Sequence, residues 1–481
     1  MKLSILYNLM KIFKNFKVAT LIIITCIAVA WFTLNSFIGL QKFTSITDLF
    51  SNDQKYYIKK YIFPYKLIDS QKDVMGKLEV VINKQSDGLV TLSNKLELIF
   101  KQSLQSIETE RITEKKLSNG LLLKNFYLID GFYAGIINLF AGSGYLDFYL
   151  DDLIVLSSRG VLGYSEDLDK EIKFNQIKNN IDEFIGFEQF NKESSSSLKD
   201  LYIHDKKIFI SYTDEIKEDC WNTSVLIGDI DFKEIEFKKL FSSQECVYSL
   251  RKKEKNIDDE FSMVTSGGRI TNYDENHILL TVGDYRARYL AQKKNNINGK
   301  ILKININDGN HNIVTMGHRN PQGLYYDREN DFVLETEHGP FGGDEINLIE
   351  VDKINSGEIL NYGWALASYG EHYGLNIEKN QKKYKKYPLY KSHKKHGFVE
   401  PLHAFVPSIG ISEITKIGTD KYVVSSMKDK SLYFFNLSKN NKLENLERVE
   451  VFERVRDLTF KDGKLYLFLE DTPSIGVISI N

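Results

Sequence analysis

The run Gly317-His318-Arg319-Asn320-Pro321-Gln322-Gly323-Leu324 places a cation and two amides on one tight turn. Guanidinium and amide N–H groups grip carboxylates and quinone or carbonyl oxygens, so this turn suits a polyanionic ligand. Soon after come Glu337-His338-Gly339-Pro340-Phe341-Gly342-Gly343-Asp344-Glu345-Ile346-Asn347 and then Asn361-Tyr362-Gly363-Trp364. Main-chain carbonyls at Gly339 and Pro340 can serve a hard cation, and calcium favours oxygen ligands of that kind. Taken singly, these residues are ordinary loop formers, and Arg319 can simply pair with a carboxylate such as Asp344. Arg454-Val455-Arg456 sets two arginines on one side of a strand, a pattern usual on solvated faces. Gly283-Asp284 reads as a hairpin turn. The chain carries no CxxC zinc pattern, P-loop, GxSxG elbow or EF-hand loop.

Short strands position these residues. From about Leu121 the apolar pattern has period two, as in FYLDDLIVLSSRGVLGYS, KDLYIHDKKIFISYT, NHILLTVGD, GKILKININDG, KYVVSSM, KSLYFFNL and GKLYLFLED, with Gly, Asp and Asn turns between. Helix-length apolar periods are too rare for a parallel α/β sheet. Many short antiparallel strands leave a sandwich, a barrel or a propeller. The 120–481 stretch divides into six units of about 60 residues, which fits six four-stranded blades, although no clean internal repeat is visible.

Composition excludes several classes. Sixty-three basic and 65 acidic residues nearly cancel, so there is no electrostatic footprint for nucleic acid. An apolar fraction of 42% excludes a disordered chain, and seven prolines and three cysteines exclude collagen-like and disulfide-scaffold proteins. The 27 Tyr and 30 Phe favour strands.

The N-terminus sets an address. Val18 to Leu40 is uncharged and, as a helix, long enough to cross a ~30 Å hydrocarbon core. Lys2, Lys11, Lys14 and Lys17 precede it, which predicts a cytoplasmic 1–17 and a transmembrane 18–40. Ala28-Val29-Ala30 offers the rival reading, a cleavable signal, but the apolar stretch runs on beyond it. Either reading sends the rest out of the cytoplasm. Residues 41–119 have apolar positions at helix-like spacing and predict a helical stalk or cap; a mixed extension packed on the main body is the alternative. Cys220 and Cys246 form an even exported pair on two alternating strands, which can bridge or remain as two buried thiols. Eight lysines between Lys379 and Lys395 predict a solvated loop, with lipid headgroups or an acidic partner as the alternative reading.

From about Gly267 to Tyr369 the chain resembles the soluble-type pyrroloquinoline quinone (PQQ) dependent glucose/sorbosone dehydrogenases, also called aldose sugar dehydrogenases. The resemblance implies an all-β, six-bladed β-propeller with the cofactor over the central channel. It implies that Arg319, Asn320 and Gln322 contact PQQ, with Arg319 also facing the substrate, and that Gly339 and Pro340 give main-chain oxygens to Ca²⁺. Lys428 matches the lysine that reaches the quinone, Arg454 and Arg456 match the pair that clamps the cofactor carboxylates, and Ser408 sits where the family often has a hydroxyl donor. Asp284 matches an acid beside the catalytic base. The implied reaction oxidises the C1 hydroxyl of an aldose to a lactone, with hydride passing to the Ca²⁺-bound quinone and electrons leaving to an unidentified acceptor.

One position departs from the family. Thr265 stands where the family has the histidine that takes the C1 hydroxyl proton. A threonine hydroxyl is far too weak a base, and losing a positioned base typically costs ~10²–10⁴-fold. Asp284, with its pKa raised by desolvation, or His318 or His338 are the candidate replacements. The expectation is therefore a single-pass protein of the inner membrane, with its propeller on the periplasmic or extracellular side, acting on a sugar and binding no nucleic acid. The competing expectation is a non-catalytic propeller that binds carbohydrate, cofactor or a protein partner.

Overall fold

The computed structural model describes residues 111–128, 143–165, 173–193, 195–249, 260–373 and 377–480, together with 106–108 and scattered helical positions between 25 and 89. Among the described residues, six mainly antiparallel sheets of four or five strands follow one another along the chain, beside one two-stranded parallel pair. Their innermost strands are Gly144–Tyr149, Leu198–His204, Gly267–Asp274, Pro321–Asp327, Ile411–Gly418 and Val455–Lys461, which open blades 1 to 6. Each inner strand lies against the next, and the sixth lies against the first, so the ring closes. This is a six-bladed propeller.

The period-two pattern explains the packing. In Lys464–Leu469 and Leu162–Ser165, for example, both faces are covered because neighbouring blades stack on either side. Apolar clusters fill the blade interfaces. Ile154, Leu201 and Leu226 lie between blades 1 and 2, and Ile270, Leu280 and Val225 between blades 2 and 3. Phe126, Phe468 and Leu153 bind blade 6 to blade 1. The core is thus distributed around the ring.

Blade 6 is sewn from both ends of the chain. Val455–Lys461, Lys464–Leu469 and Ser474–Ser479 continue into Leu122–Tyr127 and Arg111–Lys116. Ser106–Glu108 adds to the outer edge of blade 1, against Lys173–Gln176. Among the described residues, strands of the propeller therefore begin at Ser106 rather than at 120, and the expected helical extension to 119 is corrected at its C-terminal end. The sequence Arg111–Lys116 is too polar to declare itself. It pairs on one edge only and needs just enough side-chain contact to hold a hydrogen-bonded ladder.

The chain divides into two compact units, Met1–Gly88 and Leu89–Asn481. In the first, residues 74–82 are helical, with Leu78, Val81 and Ile82 exposed. Of the 18–40 stretch only 25–30 and 33 are described, as helix, and the remainder lies outside the described residues. No helix among the described residues is long and apolar enough to cross a membrane.

The lysine-rich segment is not simply a solvated loop. Ile377–Lys386 forms a helix, and Lys383 is buried in an ion pair with Glu260. Cys220 and Cys246 are joined by a disulfide in blade 2, beside the edge strand Val247–Tyr248.

Candidate active site

Propeller geometry brings the first residues of all six inner strands, and the loops that precede them, to one mouth of the central channel. There they line a cavity of about 500 Å³. Thr265, Arg319, Asn320, Gln322, Gly339, Ser408, Lys428, Arg454 and Arg456, all singled out from sequence, share this one lining. So do Tyr145, Lys199, Arg286 and His338. Six basic side chains, Lys199, Arg286, Arg319, Lys428, Arg454 and Arg456, thus share one lining.

Three of the arginines are fixed. Glu470, fully buried, bridges both arginines of the Arg454-Val455-Arg456 strand. Arg454 Nε donates to its Oε2 at 2.8 Å, and Arg456 Nη2 donates to its Oε1 at 2.7 Å. The two arginines in turn hold the Glu470 carboxyl below its usual range, against the upward pull of burial. Arg456 Nη1 also donates to Gln322 Oε1 at 3.3 Å, and Gln322 Nε2 donates to Asn320 Oδ1 at 3.1 Å. Asn320 Oδ1 further accepts the Gly267 N–H at 3.2 Å, which turns the amide nitrogen of Asn320 to donor duty. Ser408 Oγ accepts the Gly342 N–H at 3.1 Å, and Lys428 stands exposed at the rim.

Arg319 does not pair with Asp344. Its Nη1 donates to the carbonyls of His338 at 2.9 Å and Gly339 at 2.6 Å, and its guanidinium lies 5.6 Å from the Trp364 ring centre and 5.8 Å from that of Tyr373. The turn is tight because Gly339 has no side chain: a Cβ there would meet the Gly343 oxygen at 1.5 Å. Asp344 instead accepts the Gly410 and Ile411 N–H groups and faces His338 Nδ1 at 3.7 Å. Pro340 lines a small adjoining recess and is not part of the larger cavity.

The candidate bases separate clearly. Thr265 lies at the cavity wall with its hydroxyl donated to the Ser262 carbonyl at 3.2 Å. Asp284 does not line the main cavity. It sits in the recess behind Arg319, accepting from Trp364 Nε1 at 2.8 Å and from the Arg286 N–H at 2.7 Å. Burial raises its pKa against the opposing pull of Arg319. His318 is fully buried away from the cavity, whereas His338 reaches it.

Lys199 carries no sequence signal, yet it stands with Thr265 on the cavity wall. Its Nζ makes a single long hydrogen bond, 3.4 Å to the Met263 carbonyl. Burial, then the charges of Arg456 and Arg159, push its pKa down to about 7. Gly268, at φ +118°, makes room for it, because a Cβ there would meet the Lys199 Cβ at 2.4 Å. A lysine neutral near pH 7 is a competent general base.

Beneath the cavity, Arg269 plugs the channel. Its guanidinium meets Asp200 at 2.8 Å, Asp457 at 2.6 Å and Glu413 at 2.9 Å, and donates to the Gln322 and Arg456 carbonyls at 2.5 and 2.9 Å. Five blades are thereby tied at one point. Burial pushes the three carboxyls upward while Arg269 pulls them back. The arginine of the Gly-Gly-Arg turn is thus a structural hub.

A closed six-bladed ring with a cationic, amide-lined cavity at one mouth defines the class of protein. The glucose/sorbosone dehydrogenase family model matches residues 186–476, and the chain belongs to that family. It is 26% identical over 229 residues to the aldose sugar dehydrogenase YliI of Escherichia coli, covering 43% of this chain and 57% of that protein. It is 43% identical over 89 residues to quinoprotein glucose dehydrogenase B of Acinetobacter calcoaceticus, covering 16% and 17%. The chain thus spans little more than half the length of the first of these relatives and less of the second. A solved glucose dehydrogenase structure superposes with a TM-score of 0.56 at 22% identity, covering 70% of this chain and 96% of that one, which supports the fold.

Proposed function

We propose that this protein is a PQQ-dependent dehydrogenase that oxidises the C1 hydroxyl of an aldose to a lactone, and that Lys199 takes the role of the missing histidine. The observation that carries the reading is the convergence of six basic side chains, two amides and a hydroxyl on one cavity of about 500 Å³. That donor set suits a planar tricarboxylate with quinone oxygens. For calcium, Gly339 lines the cavity, and its carbonyl already accepts from Arg319. A cation would use its second lone pair together with the Pro340 carbonyl.

When bound, PQQ supplies an ortho-quinone able to accept a hydride, and calcium polarises it. The chain supplies binding, orientation and proton transfer. Arg454 and Arg456, held rigid by Glu470, receive carboxylates without losing rotamer freedom on binding. Asn320 offers N–H to an oxygen, and Lys428 closes the rim. Oxidation of a C1 hydroxyl releases a proton along with the hydride, and Lys199 Nζ, neutral above about pH 7, accepts that proton. Thr265, with its hydroxyl donated to Ser262, leaves that role to its neighbour. As part of the same reading, the 18–40 stretch exports or anchors the chain, placing the propeller outside the cytoplasm.

The test is titration of the full-length chain with PQQ, with and without Ca²⁺, followed by an aldose panel with a dye acceptor. Calcium-dependent binding with sugar-dependent dye reduction is expected. Lys199→Met should keep binding and lose ~10²–10⁴-fold in turnover. Undiminished turnover in that variant removes Lys199 from the role. Binding without turnover in the wild type leaves a binding protein, and no binding overturns the cofactor assignment.

A further inference from the structure

We propose that His318, Glu335, Glu337 and Asn347 form a site for a divalent transition-metal ion, zinc or manganese, buried between blades 3 and 4 and separate from the cofactor cavity. None of the four lines that cavity. Glu335 and Glu337 lie two apart on the strand Phe332–Glu337, so their side chains share a face. Asn347 is directly opposite Glu335 on the neighbouring strand. His318 enters from the turn that follows His311–Met316 of blade 3. All four are buried, and the ligating atoms of His318, Glu335 and Glu337 lie within 4.8 Å of one another.

The hydrogen bonds do not close around this cluster. His318 Nε2 is bonded to Thr315 Oγ1 at 2.8 Å, which leaves Nδ1 pointing at the carboxylates. Nδ1 is 3.7 Å from Glu337 Oε1 and 3.9 Å from Glu335 Oε2, too far for a hydrogen bond. His318 Nδ1, Glu335 Oε1 and Asn347 Oδ1 are all buried without a hydrogen-bond partner. Two carboxyl groups and an imidazole nitrogen without a hydrogen-bond partner are costly to bury together, and a cation among them would offset that cost. At these separations it would sit roughly 2–2.5 Å from each atom, the range of metal–nitrogen and metal–oxygen bonds. Asn347 Nδ2 now donates to Glu335 at 2.9 Å and to Glu337 at 3.4 Å; turning the amide over would present its oxygen as a fourth ligand.

The imidazole nitrogen selects the metal class, since calcium and magnesium take oxygen ligands while zinc and manganese accept nitrogen with carboxylate. The His318 ring fits a ligand role in another respect. Its second nitrogen is engaged by a hydroxyl and its face is stacked on Tyr362, with centroids 4.8 Å apart, which fixes ring orientation. The remaining oxygen of Glu337 accepts the Arg319 N–H at 2.6 Å, so an ion here would also brace the turn that carries Arg319 and Asn320.

The proposal does not depend on the cofactor reading, and its test reads metal rather than activity. Full-length protein, purified in chelator and without PQQ, is assayed by elemental mass spectrometry. About one zinc or manganese per chain is expected, falling tenfold or more in Glu335→Gln, whose carboxamide keeps the shape of the side chain. If that variant does not fold, wild-type protein unfolded in chelator and refolded with zinc, manganese or neither supplies the second measurement. Metal should be recovered and the melting temperature raised. Wild-type protein free of both metals, with a melting temperature unchanged by either, overturns the proposal.

Discussion

Lys199 shows how far one side chain can be from its sequence reading. In KDLYIHDKK it is an unremarked strand lysine. Its environment comes from Gly268 and Met263 of the next blade and Arg456 of the last. With a native pKa of about 7 against an ordinary 10.5, it binds fewer protons folded than unfolded between those values. Its burial therefore costs stability in full below about pH 7, and the cost fades as pH rises toward 10.5. Lys199→Met should be more stable than wild type at pH 6, with the advantage shrinking through that window in melts taken across pH. In the loaded enzyme a bound tricarboxylate favours the protonated amine, so the base limb of the rate profile is expected at or above pH 7 and should vanish in the variant. Asp284 belongs behind Arg319. Asp284→Asn should lower turnover by loosening Trp364 and Arg319 while leaving that pH limb in place, which a pH–rate profile would read.

At the scale of elements, two features of the chain can be separated from chemistry. Blade 6 is closed by Leu122–Tyr127, where Leu123 is 1% exposed and Leu122 48%. Leu123→Ala should cost about 2–4 kcal/mol in denaturant melts and Leu122→Ala less than about 0.5. Equal effects would mean that the N-terminal strand does not hold the ring shut. The Cys220–Cys246 bridge closes a segment with a sequence separation of 26 and abuts the cluster of Trp221, Met263 and Tyr285 that supports Thr265. Its reduction should cost about 2–4 kcal/mol, read as a lower melting temperature under reductant. The strands themselves were legible. Segments such as NHILLTVGD and KSLYFFNL became His277–Val282 and Ser431–Leu437 because buried, alternating β-branched and aromatic residues have few other ways to pack. Ser106–Glu108 and Arg111–Lys116 were not, since an edge strand needs a partner more than it needs a pattern.

For the molecule as a whole, the ring geometry turns scattered segments into one site. Arg269 ties five blades through three buried carboxylates and the Gln322 carbonyl, and removing it would strand those charges in the interior. Arg269→Met is expected to unfold the propeller or abolish cofactor binding outright, which circular dichroism and PQQ titration would distinguish. The address is also a property of the whole chain. Expressed in bacteria, the full-length protein should sediment with membranes and a chain starting at Gln41 should not. Recovery of the full-length form in the soluble cytoplasmic fraction would defeat the export reading.

Sequence by itself determined the strand-rich class, the turns bearing Arg319, Asn320 and Gln322, and the paired arginines at 454 and 456. These are local: they depend on residue type and near spacing, which a linear chain displays. Only the tertiary structure decided which groups share a cavity. It set Lys199 beside Thr265, put Asp284 behind Arg319, made Arg269 a hub, and gathered His318, Glu335, Glu337 and Asn347 into one buried cluster. The physical reason is that a propeller brings the starts of six distant strands to one mouth. There, burial and the charges of neighbouring blades reset what each side chain can do.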